Sequence, residues 1–321
     1  MRAVSFSGQN QCLTDRAKPE PRPGQAVIRV TVAGICNTDV ELAKGYMGFS
    51  GVPGHEFVGV VEAAPDAPQW IGRRVAADIN WGCGVCPVCL ATDARHCPNR
   101  TTLGIAGWDG AFAQWLVAPV ANLHAVPDSV PDREAVFAEP LAAALEVSQQ
   151  IHLTAKTRIA VLGDGKLGIL IACALRHVCP GIVLIGKHAR KLDVAARQGV
   201  SARLLADQEE RRERFDVVVE ATGREDGLAR AMDLVRPEGT IVAKTTVAGT
   251  APLSLARLVV DEISLVGSRC GDIALALHYL EQRLVDVTPL IEAEYDLEDF
   301  LEAFARASRP GTGKILVRIG S

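Results

Sequence analysis

The stretch Arg158-Ile159-Ala160-Val161-Leu162-Gly163-Asp164-Gly165-Lys166-Leu167-Gly168 decides the fold. An apolar run, 158–162, reads as a buried strand and enters a G-x-G-x-x-G turn. A second apolar run at helical spacing, 167–177, follows it. In such a turn Gly163 permits the tight bend, Gly165 lets a pyrophosphate approach the backbone, and Gly168 lets the helix pack close to the strand. The anion would sit at the helix N-terminus, where unsatisfied N–H groups and the helix dipole favour negative charge. Gly163, Gly165, Lys166, Leu167 and Gly168 are therefore candidate dinucleotide contacts.

Downstream of the turn, short apolar strands alternate with helical segments. Strands are expected at 182–185, 216–220 and 240–243, and helices at 190–198 and 227–235. That rhythm implies a parallel, doubly wound sheet. Upstream the pattern is different. Strands are expected at 3–6, 26–32, 56–63, 74–77 and 113–117, with the first two antiparallel across the proline-rich stretch 18–24. An Ala- and Leu-rich helix is expected over 133–150, and the chain ends in a strand-like run at 314–319. The fold class is α/β: a doubly wound domain at 142–268, inserted into a β-rich domain built from 1–141 and 269–321.

The 321 residues suggest about two domains at ~150 residues each. An apolar content of 48% and a charged content of 22% exclude a disordered chain. A formal charge of −4, with both signs interspersed, gives no footprint for nucleic acid or a membrane surface. No run of ~18 uncharged apolar residues predicts a transmembrane helix. The start, Met1-Arg-Ala-Val-Ser-Phe-Ser-Gly8, lacks the apolar core of a signal peptide, so a cytoplasmic protein is expected.

Nine cysteines, an odd number, argue against a fully paired disulfide framework. Cys83, Cys86, Cys89 and Cys97 form C-x2-C-x2-C-x7-C among Gly82, Gly84, Pro87 and Pro98. Four thiolates so spaced can wrap one tetrahedral Zn²⁺ at ~2.3 Å per bond. All four positions would come from protein, so this ion would be structural.

The end of the strand after the turn selects the dinucleotide. A carboxylate there accepts the ribose hydroxyls of NAD, whereas a cation accommodates the 2′-phosphate of NADP. The sequence reads Gly186-Lys187-His188-Ala-Arg190-Lys191, without an acid. Gly186, Lys187, His188 and Lys191 are candidate cofactor contacts, and NADP(H) is expected over NAD(H).

A second set of ligand-type residues lies in separate segments: Cys36 in Gly34-Ile-Cys36-Asn-Thr38-Asp39, His55 and Glu56 in Pro53-Gly-His-Glu-Phe-Val-Gly59, and Glu139 in Ala138-Glu-Pro-Leu141. One sulfur, one nitrogen and one or two oxygen donors with an open position suit a catalytic Zn²⁺. These motifs, the four-Cys segment and the glycine turn stand in the order seen in zinc-dependent medium-chain dehydrogenases/reductases, which the whole chain resembles. Glu139-Pro-Leu141 looks more like the polyol, sugar and threonine dehydrogenase branch than the simple alcohol dehydrogenases.

The resemblance implies a Rossmann domain inserted in a GroES-like catalytic domain, two zinc ions per chain and a small alcohol or ketone substrate. It implies that Cys36 and His55 ligate zinc, with Glu56 and Glu139 bound directly or through the zinc water. Thr38 matches the hydroxyl that relays the substrate proton, and Asp39 the acid behind the histidine. Arg269 is a candidate nicotinamide or substrate contact. A homo-oligomer is usual in the family. The expected reaction is hydride transfer between a secondary alcohol, polyol or sugar-type substrate and a nicotinamide. The alternatives are a zinc-free quinone or enoyl reductase, which would lack the ligands, and a non-catalytic NADP(H)-binding zinc protein, which would not need Thr38.

Overall fold

The computed structural model describes residues 1–8, 10–91, 94–211, 213–246 and 250–320. The chain divides into two compact units. The first comprises Met1–Glu139, Ile273–Arg283 and Val287–Ser321, and the second Pro140–Asp272 and Leu284–Asp286.

The first unit opens with strands β1 (Arg2–Ser7), β2 (Asn10–Asp15) and β3 (Gln25–Ile35), then helix α1 (Asn37–Ala43). Strands β4 (Ser50–Gly51), β5 (Glu56–Ala63), β6 (Arg74–Ala77) and β7 (Asn80–Trp81) lead to α2 (Pro87–Ala91). Then come β8 (Thr101–Leu103), β9 (Gly107–Trp108), β10 (Trp115–Pro119), β11 (Leu123–Ala125) and α3 (Asp132–Ala135). The second unit contains most of α4 (Ala138–Gln150), then β12 (Ile159–Leu162), α5 (Lys166–Leu175), β13 (Val183–Gly186), α6 (Ala189–Ala196), β14 (Ser201–Leu204) and α7 (Leu205–Arg211). It continues through β15 (Phe215–Glu220), α8 (Gly227–Leu234), β16 (Val235–Ala243), α9 (Leu255–Val260) and β17 (Ser264–Gly267). The chain returns to the first unit with α10 (Ile273–Glu281), β18 (Ile291–Asp296), α11 (Phe300–Ala307) and β19 (Lys314–Arg318).

The second unit is a six-stranded sheet in the order β14-β13-β12-β15-β16-β17, parallel throughout. Every residue of β12 and β13 is buried. A sheet covered on both faces needs continuous apolar strands rather than alternating ones, as Ile159–Leu162 shows. In the first unit, β11-β6-β5-β3-β19-β18 form one sheet with β10 also paired to β3. The central strand β3 is flanked by β5, which places Gly34 opposite Glu56, and by β19, which places Ile35 opposite Ile315.

Three sequence expectations change. The strand at 3–6 does not pair with 26–32 across the prolines; β1 pairs with β2 and with β4 in a separate small sheet. The β2 strand is short, polar and half-exposed, so its apolar alternation is weak. The helix expected over 133–150 is two helices, α3 and α4, broken at Val136 and Phe137. Pro140 has no N–H to give to a carbonyl one turn back, so it is tolerated only in the first turn of a new helix. Finally, β17 adds a sixth strand alongside β16, beyond the last strand expected at 240–243.

Candidate active site and metal centres

The first centre is assembled where β3 ends and β5 begins. Cys36 is the N-cap of α1, and the Asp39 carboxylate in the first helical turn accepts the Cys36 backbone N–H through Oδ2 at 2.8 Å. This fixes the turn that presents the thiol. The other oxygen, Asp39 Oδ1, faces His55 Nδ1 at 3.5 Å. Both atoms are buried, and neither finds a hydrogen-bond partner among the described residues. With Nδ1 turned to Asp39, Nε2 is the ring nitrogen left for a cation.

Donor atoms of Cys36, His55 and Glu56 lie within 4.8 Å of one another. Burial opposes a charge on His55, but Asp39 and Cys36 outweigh it and hold its pKa well above the ordinary value. A buried imidazole among acidic groups is a site that calls for positive charge. The donor set of sulfur, nitrogen and oxygen fits zinc, so the residues present suit the ion. Thr38 Oγ1 lies 3.7 Å from Cys36 Sγ at the half-buried edge of the cluster. Glu139 is half-buried at the start of α4 and is not one of the three grouped donors.

The Glu56 carboxylate is not available to a cation alone. It is ion-paired with Lys314, and both side chains are almost fully buried. The pair exists because Gly34 has no side chain: a Cβ there would lie 2.5 Å from Glu56 Oε2 and 3.5 Å from Lys314 Cδ. Burial works against the Lys314 charge, but Glu56, Cys36 and Asp39 more than compensate and raise its pKa.

The second centre is the four-Cys segment around α2. Cys86 Sγ lies 3.6 Å from Cys89 Sγ and 3.7 Å from Cys97 Sγ, which is itself 3.7 Å from Cys83 Sγ. A tetrahedron with ~2.3 Å zinc–sulfur bonds has edges of ~3.8 Å, which these three separations match, and all four sulfurs lie within 4.8 Å of one another. Backbone N–H groups of Val85 and Cys86 bring Cys83 down to about 6, whereas desolvation pushes Cys89 up to about 11. Trp81 of β7 and Trp108 of β9 pack edge to face at 4.8 Å.

In the second unit, the 163–168 turn joins β12 to α5. Gly163 has φ +122°, and a Cβ on Gly168 would lie 1.9 Å from the Gly163 carbonyl oxygen, so the strand and helix meet as closely as backbone allows. A Cβ on Gly165, the N-cap of α5, meets nothing within 4 Å. The backbone there is open to an anion, so the turn suits a pyrophosphate. Lys166 and Leu167 begin the helix. Gly186 closes β13 and is buried; Lys187 and His188 are exposed and Lys191 is half-buried. Arg269 is exposed after β17, and its carbonyl accepts a 2.8 Å bond from the buried Lys244 ammonium.

Two family models match the chain in succession: the alcohol dehydrogenase GroES-like domain over residues 22–128 and the zinc-binding dehydrogenase domain over 167–286. Together they cover more than two thirds of the sequence, one model falling in each half. The chain belongs to the zinc-type medium-chain dehydrogenases/reductases.

The dehydrogenase is 29% identical to an L-threonine 3-dehydrogenase of Streptomyces avermitilis, over 95% of each chain. It is 28% identical to a sorbitol dehydrogenase of Halalkalibacterium halodurans, over 89% of this chain and 90% of that one. Among solved structures, alcohol dehydrogenase TADH from Thermus sp. ATN1 superposes with a TM-score of 0.87 at 26% identity, covering 100% of both chains.

Sequence reasoning about the dehydrogenase overlooked two functional candidates. Lys314 stands 258 residues from Glu56, and its only sequence signal is a lysine opening an apolar strand. Asp164 occupies a variable position of the glycine turn, where a buried acid is the signal; its Oδ2 accepts the backbone N–H groups of Lys187 at 2.7 Å and His188 at 2.6 Å.

Proposed function

We propose that this zinc-type oxidoreductase moves hydride between a secondary alcohol of the polyol, sugar or amino-alcohol kind, or its ketone, and a nicotinamide cofactor. The observation that carries the reading is the gathering of Cys36, His55 and Glu56 within 4.8 Å in a chain that also holds the open 163–168 turn. The threonine and sorbitol dehydrogenases among its relatives support the substrate class.

When bound, zinc supplies Lewis acidity toward the substrate oxygen and the nicotinamide supplies the hydride carrier. Cys36 and His55 hold the catalytic ion, with Glu56 or Glu139 as the carboxylate donor. Thr38 Oγ1 accepts the proton of the substrate hydroxyl and passes it to solvent. Asp39 orients His55 and fixes Cys36 through the α1 cap. Lys314 restrains Glu56, competing with the cation for its carboxylate. Cys83, Cys86, Cys89 and Cys97 hold a second, structural zinc.

Gly163, Gly165, Lys166, Leu167 and Gly168 receive the pyrophosphate, and the Gly186–Lys191 stretch faces the adenosine ribose. Lys187, His188 and Lys191 favour the 2′-phosphate of NADP(H), while the Asp164 carboxylate beside them opposes it. Arg269 contacts the nicotinamide half.

The edge strand β17 and helix α9 expose Leu255, Val259, Val260 and Leu265. An open sheet edge with apolar neighbours supports a homo-oligomer formed on this face. No helix among the described residues is long and apolar enough to cross a membrane. The free cysteines fit the reducing cytoplasm.

The test is an absorbance screen at the nicotinamide band with polyols, sugars, amino alcohols and simple secondary alcohols. Turnover on at least one of these classes is expected. Dinucleotide binding without turnover on any of them, or on the matching ketones, would contradict the proposal.

A further inference from the structure

We propose that Asp164 takes the place of the acid missing from the end of β13, receives the adenosine ribose hydroxyls, and makes this dehydrogenase prefer NAD(H) to NADP(H). The inference rests on reading the 163–168 turn as the dinucleotide site. It reverses the preference that the sequence of 186–191 suggests.

In a doubly wound sheet the ribose acid stands about 20 residues beyond the glycine turn, at the end of the next strand. Here that strand ends in Gly186, followed by Lys187 and His188. The volume beside Gly186 is nevertheless filled by a carboxylate. A Cβ on Gly186 would lie 2.4 Å from Asp164 Cβ and 2.5 Å from Asp164 Oδ2. Gly186 can carry no side chain because Asp164 already stands where one would project. The acid has moved from the strand end to the turn.

Its hydrogen bonds define what remains free. Oδ2 accepts the backbone N–H groups of Lys187 and His188 and lies 3.0 Å from His188 Nδ1. Oδ1 meets His188 Nδ1 alone among the described residues, at 3.2 Å. A carboxylate has about four acceptor sites, so Oδ1 retains capacity for a hydroxyl donor. The side chain is 11% exposed, which leaves an edge open to a ligand. The neighbouring residue Gly165 offers the open backbone of the phosphate cradle. One turn thus presents both a diphosphate site and a ribose acceptor.

The same arrangement disfavours a 2′-phosphate. A phosphate group carries close to two negative charges at neutral pH, and a mostly buried carboxylate repels it. The N–H groups of Lys187 and His188, natural donors to such an anion, are already occupied by Asp164. The imidazole of His188 is held by the same carboxylate. Lys187 and Arg190 are exposed, where salt screens them.

The test is a calorimetric titration of the purified, zinc-loaded chain with NAD⁺, NADH, NADP⁺ and NADPH, without substrate. NAD(H) is expected to bind at least about tenfold tighter. Asp164→Ala should weaken NAD(H) by about 10–100-fold, the size of a hydrogen bond to a charged group, and should tighten NADP(H). Exchanging the two positions, Asp164→Gly with Gly186→Asp, should restore the NAD(H) preference. Tighter binding of NADP(H) by the native chain would overturn the proposal. So would an unchanged ratio in folded Asp164→Ala. If that variant does not fold, the native ratio and the exchanged variant decide alone, and an NADP(H) preference in either overturns it. Binding of neither dinucleotide would overturn the reading of the glycine turn, and this inference with it.

Discussion

The Lys314 ammonium and the Glu56 carboxylate meet over Gly34, each on a strand flanking β3, with 3% and 1% of their side chains exposed. Burying two charges is costly, and removing one partner strands the other without compensation. Lys314→Met should therefore destabilise the fold by about 3–5 kcal/mol. Lys314→Met combined with Glu56→Gln should recover much of that loss, because no uncompensated charge remains. Chemical denaturation of the native chain and both variants checks this. Equal stability of the single and double variants would show that the pair is not coupled.

The four-Cys segment should depend on its ion. Cys97 is fully buried and lies close to both Cys83 and Cys86. Cys97→Ser is expected to lose one zinc per chain while retaining the other. The segment should then be cut by protease at 82–98, since the binding energy of a structural zinc is local folding energy. Metal analysis and limited proteolysis read both effects, and an intact, protease-resistant segment without its zinc would contradict the assignment.

Thr38 Oγ1 sits 3.7 Å from the Cys36 thiol and outside the cluster of donors. Thr38→Val keeps its shape and removes the hydroxyl. Turnover should fall by about 10²–10⁴-fold, the range of a lost proton-transfer group. Dinucleotide affinity, measured by titration, should stay unchanged. A fall in affinity without a fall in kcat would move Thr38 out of the proton path.

Asp216 gives a pH dependence confined to the second unit. Burial alone would raise its pKa, but the Arg158 backbone N–H and the Arg236 and Arg158 side chains outweigh it and hold the carboxyl at about 2. Its folded pKa lies below the ordinary 3.8, so the stabilisation is present above about pH 4 and is lost as pH falls toward 2. Because both arginines are partly exposed, solvent screening limits the effect to about 1 kcal/mol or less. Asp216→Asn should lower the melting temperature near pH 6 and converge with the native chain near pH 2. A constant difference at both would show that the effect is not electrostatic.

Local patterns carried much of the fold. The strands at 56–63 and 74–77 match β5 and β6 at both ends, because each holds a short, largely apolar stretch, 57–61 and 75–77, bounded by charged residues and turns. The thiol cluster was legible because ligand spacing within one loop nearly dictates geometry. Cys36 and His55 were legible only as residue types, since β3 and β5 bring them together. The β1–β2 pairing was not, because a polar, half-exposed strand leaves little periodicity. Nor were the tertiary partners Lys314 and Asp164 legible. A lysine opening an apolar strand and an acid in a glycine turn acquire meaning only when their neighbours are known.

The central claim is that Cys36, His55 and a carboxylate hold the zinc ion on which hydride transfer depends. Its most direct test is a zinc count per chain for the native protein and Cys36→Ser, paired with alcohol-dependent nicotinamide reduction on the best substrate. The expected result is two zinc ions in the native chain, one in the variant with the four-Cys segment still loaded, and no turnover in the variant. Full activity in Cys36→Ser, or no loss of zinc, would contradict the account.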